Sequence, residues 1–237
     1  MAPIPIHQTF TAMGNGGIIL GAFKEKKMIG FLYSFPGFDG KQTYLCSHML
    51  GILPEYQTQG LGMRMKLKQA ELAKEYGYTM ITWTFDPLES KNAYLNINKL
   101  GAVGAIYSPD HYGDLQDGLN TGLPTDRIKI EWHLSESDEA DIPTPSLNQA
   151  NMLLDMDDDA SPVITEHFSN HELEKEAAWF IAIPRHFQAM KKENMALAKE
   201  WRYHTRDVMQ ALFTVGYQAK DVIRPLDKQV SYYVFKK

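Results

Sequence analysis

The residues Gln57-Thr-Gln-Gly-Leu-Gly62 have the composition of an anion-binding turn. Gly60 and Gly62 lack a Cβ atom, so a phosphate group can approach the main chain closely at both positions. A helical pattern follows, and the N-terminus of a helix presents unpaired N–H groups and a partial positive charge to an anion. The stretch is neither a P-loop nor a dinucleotide fingerprint. We predict an anion site here; the alternative is a tight turn without a ligand.

Three side chains outside this turn could carry protons or charge. His48 could act as a general base, because imidazole titrates near neutral pH, or it could be a packed histidine. Asp86 precedes Pro87 and could orient an ammonium group or act through water, or it could cap a helix. Arg127 could hold a carboxylate by a bidentate pair, or it could form a surface ion pair with Asp126.

One group of acidic residues has the spacing of an EF-hand loop: Asp155, Asp157, Asp159 and Glu166. Ala160 stands where that loop requires glycine, and Pro162 stands where it has an apolar residue. We therefore expect no metal site.

A sheet and its helices must position these residues. Strands are predicted at residues 17–23, 28–35, 44–53, 79–85, 102–107 and 127–134. The first two form a hairpin, and the fourth runs parallel to the third by the crossover rule. A helix is predicted over 63–76, with Gly77 as its C-cap and Lys66 facing water, and a second helix over 88–100.

In the last third of the chain, the pattern predicts a strand at 179–184, helices within 185–215 and a closing hairpin of 222–224 with 230–235. Arg202 and Arg206 share one helix face and are expected to be solvated. Between the two halves, residues 135–162 contain eight acidic residues and no lysine or arginine, which predicts a solvated linker.

Composition excludes several classes. The 237 residues carry a formal net charge of -5, which argues against nucleic-acid binding. No apolar run reaches the ~18 residues of a membrane span, so no membrane partner is expected. Cys46 is the only cysteine and no secretory signal is evident, which predicts a cytoplasmic protein.

The turn resembles the acyl-CoA binding motif of the GNAT superfamily of N-acyltransferases, Gln/Arg-x-x-Gly-x-Gly/Ala, as Gln57-x-x-Gly60-x-Gly62. Other segments are similar to a predicted branch associated with N-acylation, including N-succinylation, of amino acids: Trp83-Thr-Phe-Asp-Pro-Leu88, Lys99-Leu-Gly101, Thr125-Asp-Arg127, Phe180-Ile-Ala-Ile-Pro184 and Ala198-Lys-Glu-Trp-Arg202. The resemblance implies an α/β (α+β) fold with a mixed, mostly antiparallel sheet flanked by helices and a C-terminal α/β extension.

The resemblance also implies a domain division. Residues 1–135 would be the acyl-CoA-binding core, whose opening strand and helices are missing. Residues 136–165 would be the acidic linker. The order of elements in 166–237 is the one with which this fold opens, so we expect that segment to pack on the core as a partial half.

Site residues follow from the same resemblance. Main-chain groups near Ile52 and Leu53 would meet the pantetheine arm and thioester, and Asn92 would touch the pantetheine or be structural. The pyrophosphate would meet the amides of Gln57, Thr58, Gln59, Gly60, Leu61, Gly62 and Met63. Ile97 stands where the family has a tyrosine that protonates the departing thiolate, so we nominate Tyr94 and Tyr107, with solvent as the alternative. Trp83 and Arg127 are nominated for substrate binding.

The expected function is transfer of an acyl group, acetyl or succinyl, from coenzyme A to the amine of a small molecule, with an amino acid favoured. The amine attacks the thioester directly in a ternary complex. Acetyl-CoA or another acyl-CoA is the expected co-substrate, and a homodimer is the expected assembly. The alternatives are a protein N-acetyltransferase and a non-catalytic acyl-CoA-binding module.

Overall fold

A computed structural model of the chain describes residues 4–57, 59–113, 120–134, 145–169 and 173–237. The chain divides into two compact units. The first contains Met1–Trp83 with Glu131–Asp138, and the second contains Thr84–Ile130 with Glu139–Lys237. No helix within the described ranges is long and apolar enough to cross a membrane.

The first unit is built on an antiparallel meander of β1 (Ile19–Lys24), β2 (Lys27–Phe38) and β3 (Thr43–Ile52). β4 (Met80–Phe85) begins in this unit and runs parallel to β3, with Leu45 opposite Ile81. The predicted hairpin, third strand and parallel crossover are therefore confirmed.

The crossover helix α2 (Leu61–Glu75) connects β3 to β4. Its buried residues recur every three or four positions and face the sheet: Met65, Lys66, Gln69, Ala70 and Ala73. Gly77 ends it at φ +85°, where the N–H of Tyr78 donates to the carbonyl of Ala73 at 2.9 Å. This is the six-to-one bond of a Schellman motif, and it confirms the predicted C-cap.

A helix that the sequence did not predict, α1 (Ile6–Gly14), precedes the meander. None of its residues is buried. Its apolar residues Ile6, Phe10 and Met13 lie at helical spacing, but each is more than half exposed. A run of nine residues is too short for periodicity to distinguish a helix from a turn.

The second unit contains the remaining strands. They are β5 (Val103–Ser108), β6 (Arg127–His133, which begins here), β7 (Met152–Met156), β8 (Pro162–Ile164), β9 (Ala178–Pro184), β10 (Gln218–Ile223) and β11 (Val230–Lys236). Hydrogen-bonded neighbours follow the order β6-β5-β10-β11-β9-β7-β8. β9 lies antiparallel to β11 and is buried along its whole length, which makes this pair the centre of the core.

Helices of the second unit are α3 (Ser90–Ala93), α4 (Glu166–Ser169), α5 (Phe187–Glu193) and α6 (Met195–Thr214). α6 buries Trp201, Thr205, Val208 and Leu212 on one face, and α5 and α6 confirm the helices predicted within 185–215. The predicted helix over 88–100 is instead α3 followed by a π-helical segment, Tyr94–Lys99, and Gly101 ends it at φ +67°.

Part of the predicted linker is structured, which corrects that prediction for residues 152–164. Met152, Leu153 and Leu154 are fully buried in β7, which pairs in parallel with β9. Three of the eight acidic residues, Asp157, Asp158 and Asp159, lie in the turn after it, where Asp157 Oδ1 accepts hydrogen bonds from the N–H groups of Asp159 and Ser161. Residues 135–144 lie outside the described ranges.

The fold class is confirmed, because both units are mixed α/β with mostly antiparallel pairing and helices beside the strands. The predicted order strand, helices, strand, strand in the C-terminal segment is also confirmed by β9, α5, α6, β10 and β11. Whether residues 166–237 correspond to half of another fold stays a prediction.

Candidate active site

The turn that the sequence singled out lies between β3 and α2. A short 3₁₀ segment, Pro54–Tyr56, follows the strand, and α2 begins at Leu61. Gly60 precedes the helix in the left-handed conformation at φ +74°. A residue with a Cβ atom is disfavoured there by about 1–2 kcal/mol, which explains the glycine.

The first N–H groups of α2 have no partner among the residues that the structure describes. No described side chain caps the helix, and the first intrahelical bond runs from Arg64 N–H to the Gly60 carbonyl at 3.1 Å. Among the described residues nothing accepts a hydrogen bond from the N–H groups of Leu61, Gly62 and Met63. The first turn also carries no acidic residue, so the positive end of the helix dipole is not neutralised locally.

The two glutamines brace this turn. Gln57 Nε2 donates to the Ile52 carbonyl at 3.0 Å, and Gln59 Nε2 donates to the Glu55 carbonyl at 3.2 Å. Their side chains therefore hold the loop against the end of the strand, and the main chain is left to meet a ligand. Thr58 lies outside the described residues.

β3 separates from β4 before it reaches the turn. The described ladder between them consists of Leu45 with Ile81 and Cys46 with Thr82. On its other edge β3 stays paired with β2 as far as Ile52, and the Leu53 N–H donates to the Ile29 carbonyl at 3.0 Å. The part of β3 that follows Cys46 therefore has one edge without a described strand partner, and this edge leads into the turn.

His48 lies in this separated part of β3 and is exposed. Its ring forms a T-shaped pair with Tyr33 and a tilted pair with Phe35, with ring centroids 6.1 and 5.7 Å apart. A β-bulge between Tyr33 and Ser34 places His48 opposite no single residue of β2. The imidazole is thus held by aromatic neighbours while it remains open to solvent.

The buried face of α2 includes a lysine, Lys66. Lys66 is 4% exposed, which corrects the expectation that it faces water. Its Nζ donates to Ser47 Oγ at 2.8 Å, and Ser47 Oγ donates to Gln69 Oε1 at 3.1 Å. The Nζ also lies 3.7 Å from the ring centroid of Trp83.

Burial lowers the pKa of Lys66 to about 7. The face of Trp83 favours the ammonium form by about 2 kcal/mol when desolvated. That attraction is smaller than the several kcal/mol that burial costs an ion. Trp83 is itself buried between Lys66 and the edge of Trp132, so it contributes to the core rather than presenting its ring to a substrate.

In the second unit, Asp86 is held by arginines. Arg202 Nη2 forms an ion pair with Asp86 Oδ2, and Arg127 Nη1 lies 3.8 Å from the same oxygen. Asp86 Oδ1 accepts a hydrogen bond from the Leu88 N–H at 2.9 Å. Arg202 is 1% exposed, which corrects the expectation that it is solvated. Because Asp86 already neutralises a buried guanidinium, this geometry argues against a role in binding an amine.

Arg127 has internal partners as well. Its Nη1 donates to the Asp126 carbonyl and its Nη2 donates to Asn120 Oδ1, both at 2.8 Å. Its guanidinium also lies 5.3 Å from the ring centroid of Tyr112. The fork that was nominated for a substrate carboxylate is therefore occupied by the protein.

Tyr107 belongs to a second buried cluster. Its hydroxyl donates to Asp126 Oδ2 at 2.6 Å, and Arg206 forms a two-point pair with the same carboxylate at 2.9 and 2.6 Å. Burial and the negative charge of Asp126 raise the pKa of Tyr107, while Arg206 lowers the pKa of Asp126 against the opposing effect of burial. A phenol with a raised pKa that is bonded to a carboxylate is a poor proton donor. Arg206 was expected to be solvated; its ion pair corrects that expectation.

Tyr94 opens the π-helical segment and is half-buried. Lys99 Nζ lies 5.2 Å from its ring centroid, and the Arg224 guanidinium lies 5.4 Å from it. Asn92 is exposed in α3, and Ile97 is buried. Of the two tyrosines nominated in place of Ile97, Tyr94 alone is not bonded to a described carboxylate.

A cavity of about 290 Å³ also lies in the second unit, around the start of α6. Its lining is mostly apolar and includes Met156, Met190 and Leu197. None of the site residues that the sequence nominated lines it. The burial of Lys66 and Arg202 was not predicted, because helical periodicity assigns charged residues to the solvent face.

Comparison with known proteins finds a family match for the first part of the chain. Residues 3–95 match the model of the acetyltransferase (GNAT) family. This match covers the turn, α2 and the start of the following helix, and it supports acyl transfer from coenzyme A to an amine. No curated protein sequence matches the chain significantly.

Several solved acetyltransferases are similar in structure. The ribosomal-protein-S18-alanine N-acetyltransferase from Escherichia coli has a TM-score of 0.46 at 18% identity, over 58% of this chain and 82% of that one. A GNAT family acetyltransferase from Elizabethkingia anophelis with acetyl-CoA bound has a TM-score of 0.43 at 19% identity, over 54% and 80%. The IAA acetyltransferase from Bacillus cereus has a TM-score of 0.44 at 16% identity, over 54% and 85%. At these values the likeness carries no information on the substrate.

Proposed function

We propose that this chain, whose residues 3–95 match the acetyltransferase (GNAT) family, transfers an acyl group from coenzyme A to the amine of a small molecule, with an amino acid favoured. The observation that carries the proposal is the row of N–H groups at Leu61, Gly62 and Met63, which follow a left-handed Gly60 and have no partner in the described part of the chain. Such a row binds the oxygens of a diphosphate without any side chain. The hydrogen bonds of Gln57 and Gln59 to main-chain carbonyls would hold these N–H groups in position before the ligand binds.

The pantetheine arm would lie along the free edge of β3, next to Ile52 and Leu53. A peptide-like arm beside an unpaired strand edge can form main-chain hydrogen bonds as an added strand would. Asn92 is exposed and stays a candidate contact for that arm.

In the transfer, the nitrogen of the acceptor attacks the thioester carbonyl carbon, the carbon–sulfur bond breaks and the thiolate leaves. The nitrogen must lose a proton, and His48 is the candidate base because it is exposed and held by two aromatic rings. Tyr94 or solvent supplies a proton to the sulfur. Much of the acceleration would come from holding the two substrates together.

The first test is binding. Calorimetric titration with acetyl-CoA and with succinyl-CoA is expected to show one saturable site for at least one of them. The matched control is pantetheine, which lacks the diphosphate and should bind far more weakly. If neither thioester produces heat at a high protein concentration, the proposal fails.

The second test is turnover. Release of free thiol from each thioester is measured against a panel of amino acids and against a peptide with a free N-terminus. Turnover with amino acids alone supports the proposal, whereas turnover with the peptide alone identifies a protein N-acetyltransferase.

A non-catalytic acyl-CoA-binding module is the second candidate. It is favoured by the buried contacts of Asp86 and Tyr107, which remove two of the side chains nominated for catalysis. Saturable binding without thiol release over the whole panel would identify this function. A cytoplasmic location and a homodimer stay predictions.

A further inference from the structure

Two arginines meet where β10 and β11 are joined in the second unit. Arg185 follows β9, and its backbone N–H donates to the Gln229 carbonyl at 2.9 Å. Its Nη2 donates to the carbonyl of Pro225, the residue after Arg224. The two guanidinium groups are close enough that the charge of Arg185 contributes to lowering the pKa of Arg224, after the effect of burial.

Both arginines have buried donors without partners. The Nε atom of Arg185 and the Nε atom of Arg224 are shielded from solvent and have no hydrogen-bond acceptor among the described residues. No carboxylate in the described part of the chain forms an ion pair with either side chain. An anion between two adjacent guanidiniums would reduce their repulsion and could accept from the two buried Nε donors.

Tyr94 and Lys99 complete the group. The Arg224 guanidinium lies 5.4 Å from the ring centroid of Tyr94, and Lys99 Nζ lies 5.2 Å from the same centroid. Lys99 is exposed, and Arg185 and Arg224 are half-buried, so a ligand can reach the group from solvent. Two cations, Arg224 and Lys99, therefore lie beside the ring of Tyr94.

We propose that Arg185, Arg224 and Lys99 form a binding site for an oxyanion, a carboxylate or a phosphate group. A guanidinium presents a planar fork that fits two oxygens of either group, and a lysine adds a mobile positive charge. Lys99, Arg185 and Arg224 all lie outside residues 3–95, so none of the three cations belongs to the matched region. The proposal assigns an anion site to the second unit, independently of the acyl-CoA site proposed at the turn.

The direct test uses simple anions and the full chain. Succinate and inorganic phosphate are titrated separately by calorimetry at constant ionic strength, without coenzyme A. The wild type should bind at least one of them, and Arg224→Gln should weaken that binding by about tenfold or more, because it removes a charged hydrogen-bonding fork. Lys192→Gln is the matched control, since Lys192 is exposed in α5 and loses the same charge; its affinity should stay within about twofold of the wild type.

Two further variants keep the test decisive if Arg224→Gln folds poorly. Arg224→Lys keeps the charge but loses the fork, so its affinity should fall between those of the wild type and Arg224→Gln. Lys99→Gln changes an exposed side chain and should weaken binding by a smaller factor than Arg224→Gln. Far-UV circular dichroism verifies that each variant is folded.

Three pairs of substrates locate the source of the anion. The pairs are succinyl-CoA with acetyl-CoA, coenzyme A with its 3′-dephospho form, and an amino acid with its amide. The members of each pair differ in one anionic group, so the wild type should prefer the member that carries the group bound by the site. If Arg224→Gln loses this preference within one pair, the anion belongs to the acyl group, the nucleotide or the acceptor, respectively.

The proposal is overturned if the wild type binds neither succinate nor phosphate, or if Arg224→Gln binds them as well as Lys192→Gln does. Its failure is separable from failure of the proposed function, because the anion titrations contain no coenzyme A. Anion binding without acetyl-CoA binding would defeat only the acyl-transfer proposal, and acetyl-CoA binding without anion binding would defeat only this one.

Discussion

The turn before α2 and the ion network around Asp86 and Asp126 are both rich in polar groups, but they use them in opposite ways. At the turn, the N–H groups of Leu61, Gly62 and Met63 have no described partner. In the network, both carboxylates are bound by arginines of α6. Residue type alone does not separate the two cases, since both looked like functional sites in the sequence.

The difference lies in whether the fold satisfies its own donors and acceptors. A buried carboxylate that is paired with a guanidinium stabilises the fold relative to the same carboxylate left alone, and it is no longer free for a substrate. A helix end without a cap costs stability, which a bound anion can restore. We therefore expect substitutions in the network to change mainly stability, and substitutions at the turn to change mainly affinity.

The largest effect is expected for Asp86→Ala. It leaves Arg202, which is 1% exposed, without its carboxylate. Loss of one partner from a buried pair lowers the free energy of unfolding by about 3–5 kcal/mol, to be measured by urea denaturation. The matched control is Glu71→Ala, which breaks the exposed pair with Lys68 and should leave stability nearly unchanged. If Asp86→Ala is as stable as Glu71→Ala but inactive, Asp86 belongs to the site and the comparison fails.

The double substitution Asp86→Leu with Arg202→Met sharpens this result. Replacing both members of a buried pair by apolar groups is often close to neutral, so most of the lost stability should return. A double variant that is no more stable than Asp86→Ala would mean that the pair fixes the local fold in some way other than by charge.

The second effect concerns Lys66, a buried polar group of the first unit without a described carboxylate partner. Its folded pKa of about 7 lies below the ~10.4 of an unfolded lysine. Between these pH values the unfolded chain binds more protons than the folded chain, so the free energy of unfolding rises with pH. The slope should reach about 1.4 kcal/mol per pH unit at most.

Urea denaturation from pH 7 to pH 9.5 measures this slope. Lys66→Met should remove the rise, while Lys74→Met, on the exposed side of the same helix, should keep it. Equal slopes in the two variants would mean that Lys66 stays charged in the folded protein.

Neither the pairing of Asp86 with Arg202 nor the burial of Lys66 could be predicted from the sequence. Asp86 and Arg202 are 116 positions apart, and no local pattern connects residues that meet only after folding. Lys66 has the sequence context of a solvent-facing lysine, and only the position of Ser47 and Trp83 reveals its burial.

The turn, by contrast, could be predicted because its signals are local. Gly60 is needed for a left-handed conformation, Pro54 ends the strand and Gly77 ends the helix. The strands of the first unit were predictable for the same reason, since turns of glycine, proline and charged residues separate them. β7 was missed because acidic residues of the following turn dominate its surroundings, although Met152–Leu154 is an apolar run.

The third effect tests the turn itself. Gly60→Ala forces a residue with Cβ into φ +74°, at a cost of about 1–2 kcal/mol. If the strained turn relaxes, its N–H groups no longer converge, and the affinity for acetyl-CoA should fall by about tenfold. Gly14→Ala is the control, because nothing lies within 4 Å of its added Cβ atom and it lies in α1. Unchanged affinity in Gly60→Ala would place the nucleotide elsewhere.

The smallest effect is expected at Asp157, where acidic residues again serve the fold. Its Oδ1 accepts hydrogen bonds from the N–H groups of Asp159 and Ser161 at 3.0 and 2.8 Å and so closes the turn between β7 and β8. Asp157→Ala should lower the free energy of unfolding by about 1 kcal/mol, in the range of a lost cap. Asp157→Asn keeps the acceptor and should retain most of the stability. Since Asp158 is exposed and makes no described contact of this kind, Asp158→Ala should match the wild type. If Asp157→Ala and Asp158→Ala are equally stable, the acidic turn contributes nothing to the fold, and its charges must be explained by a partner.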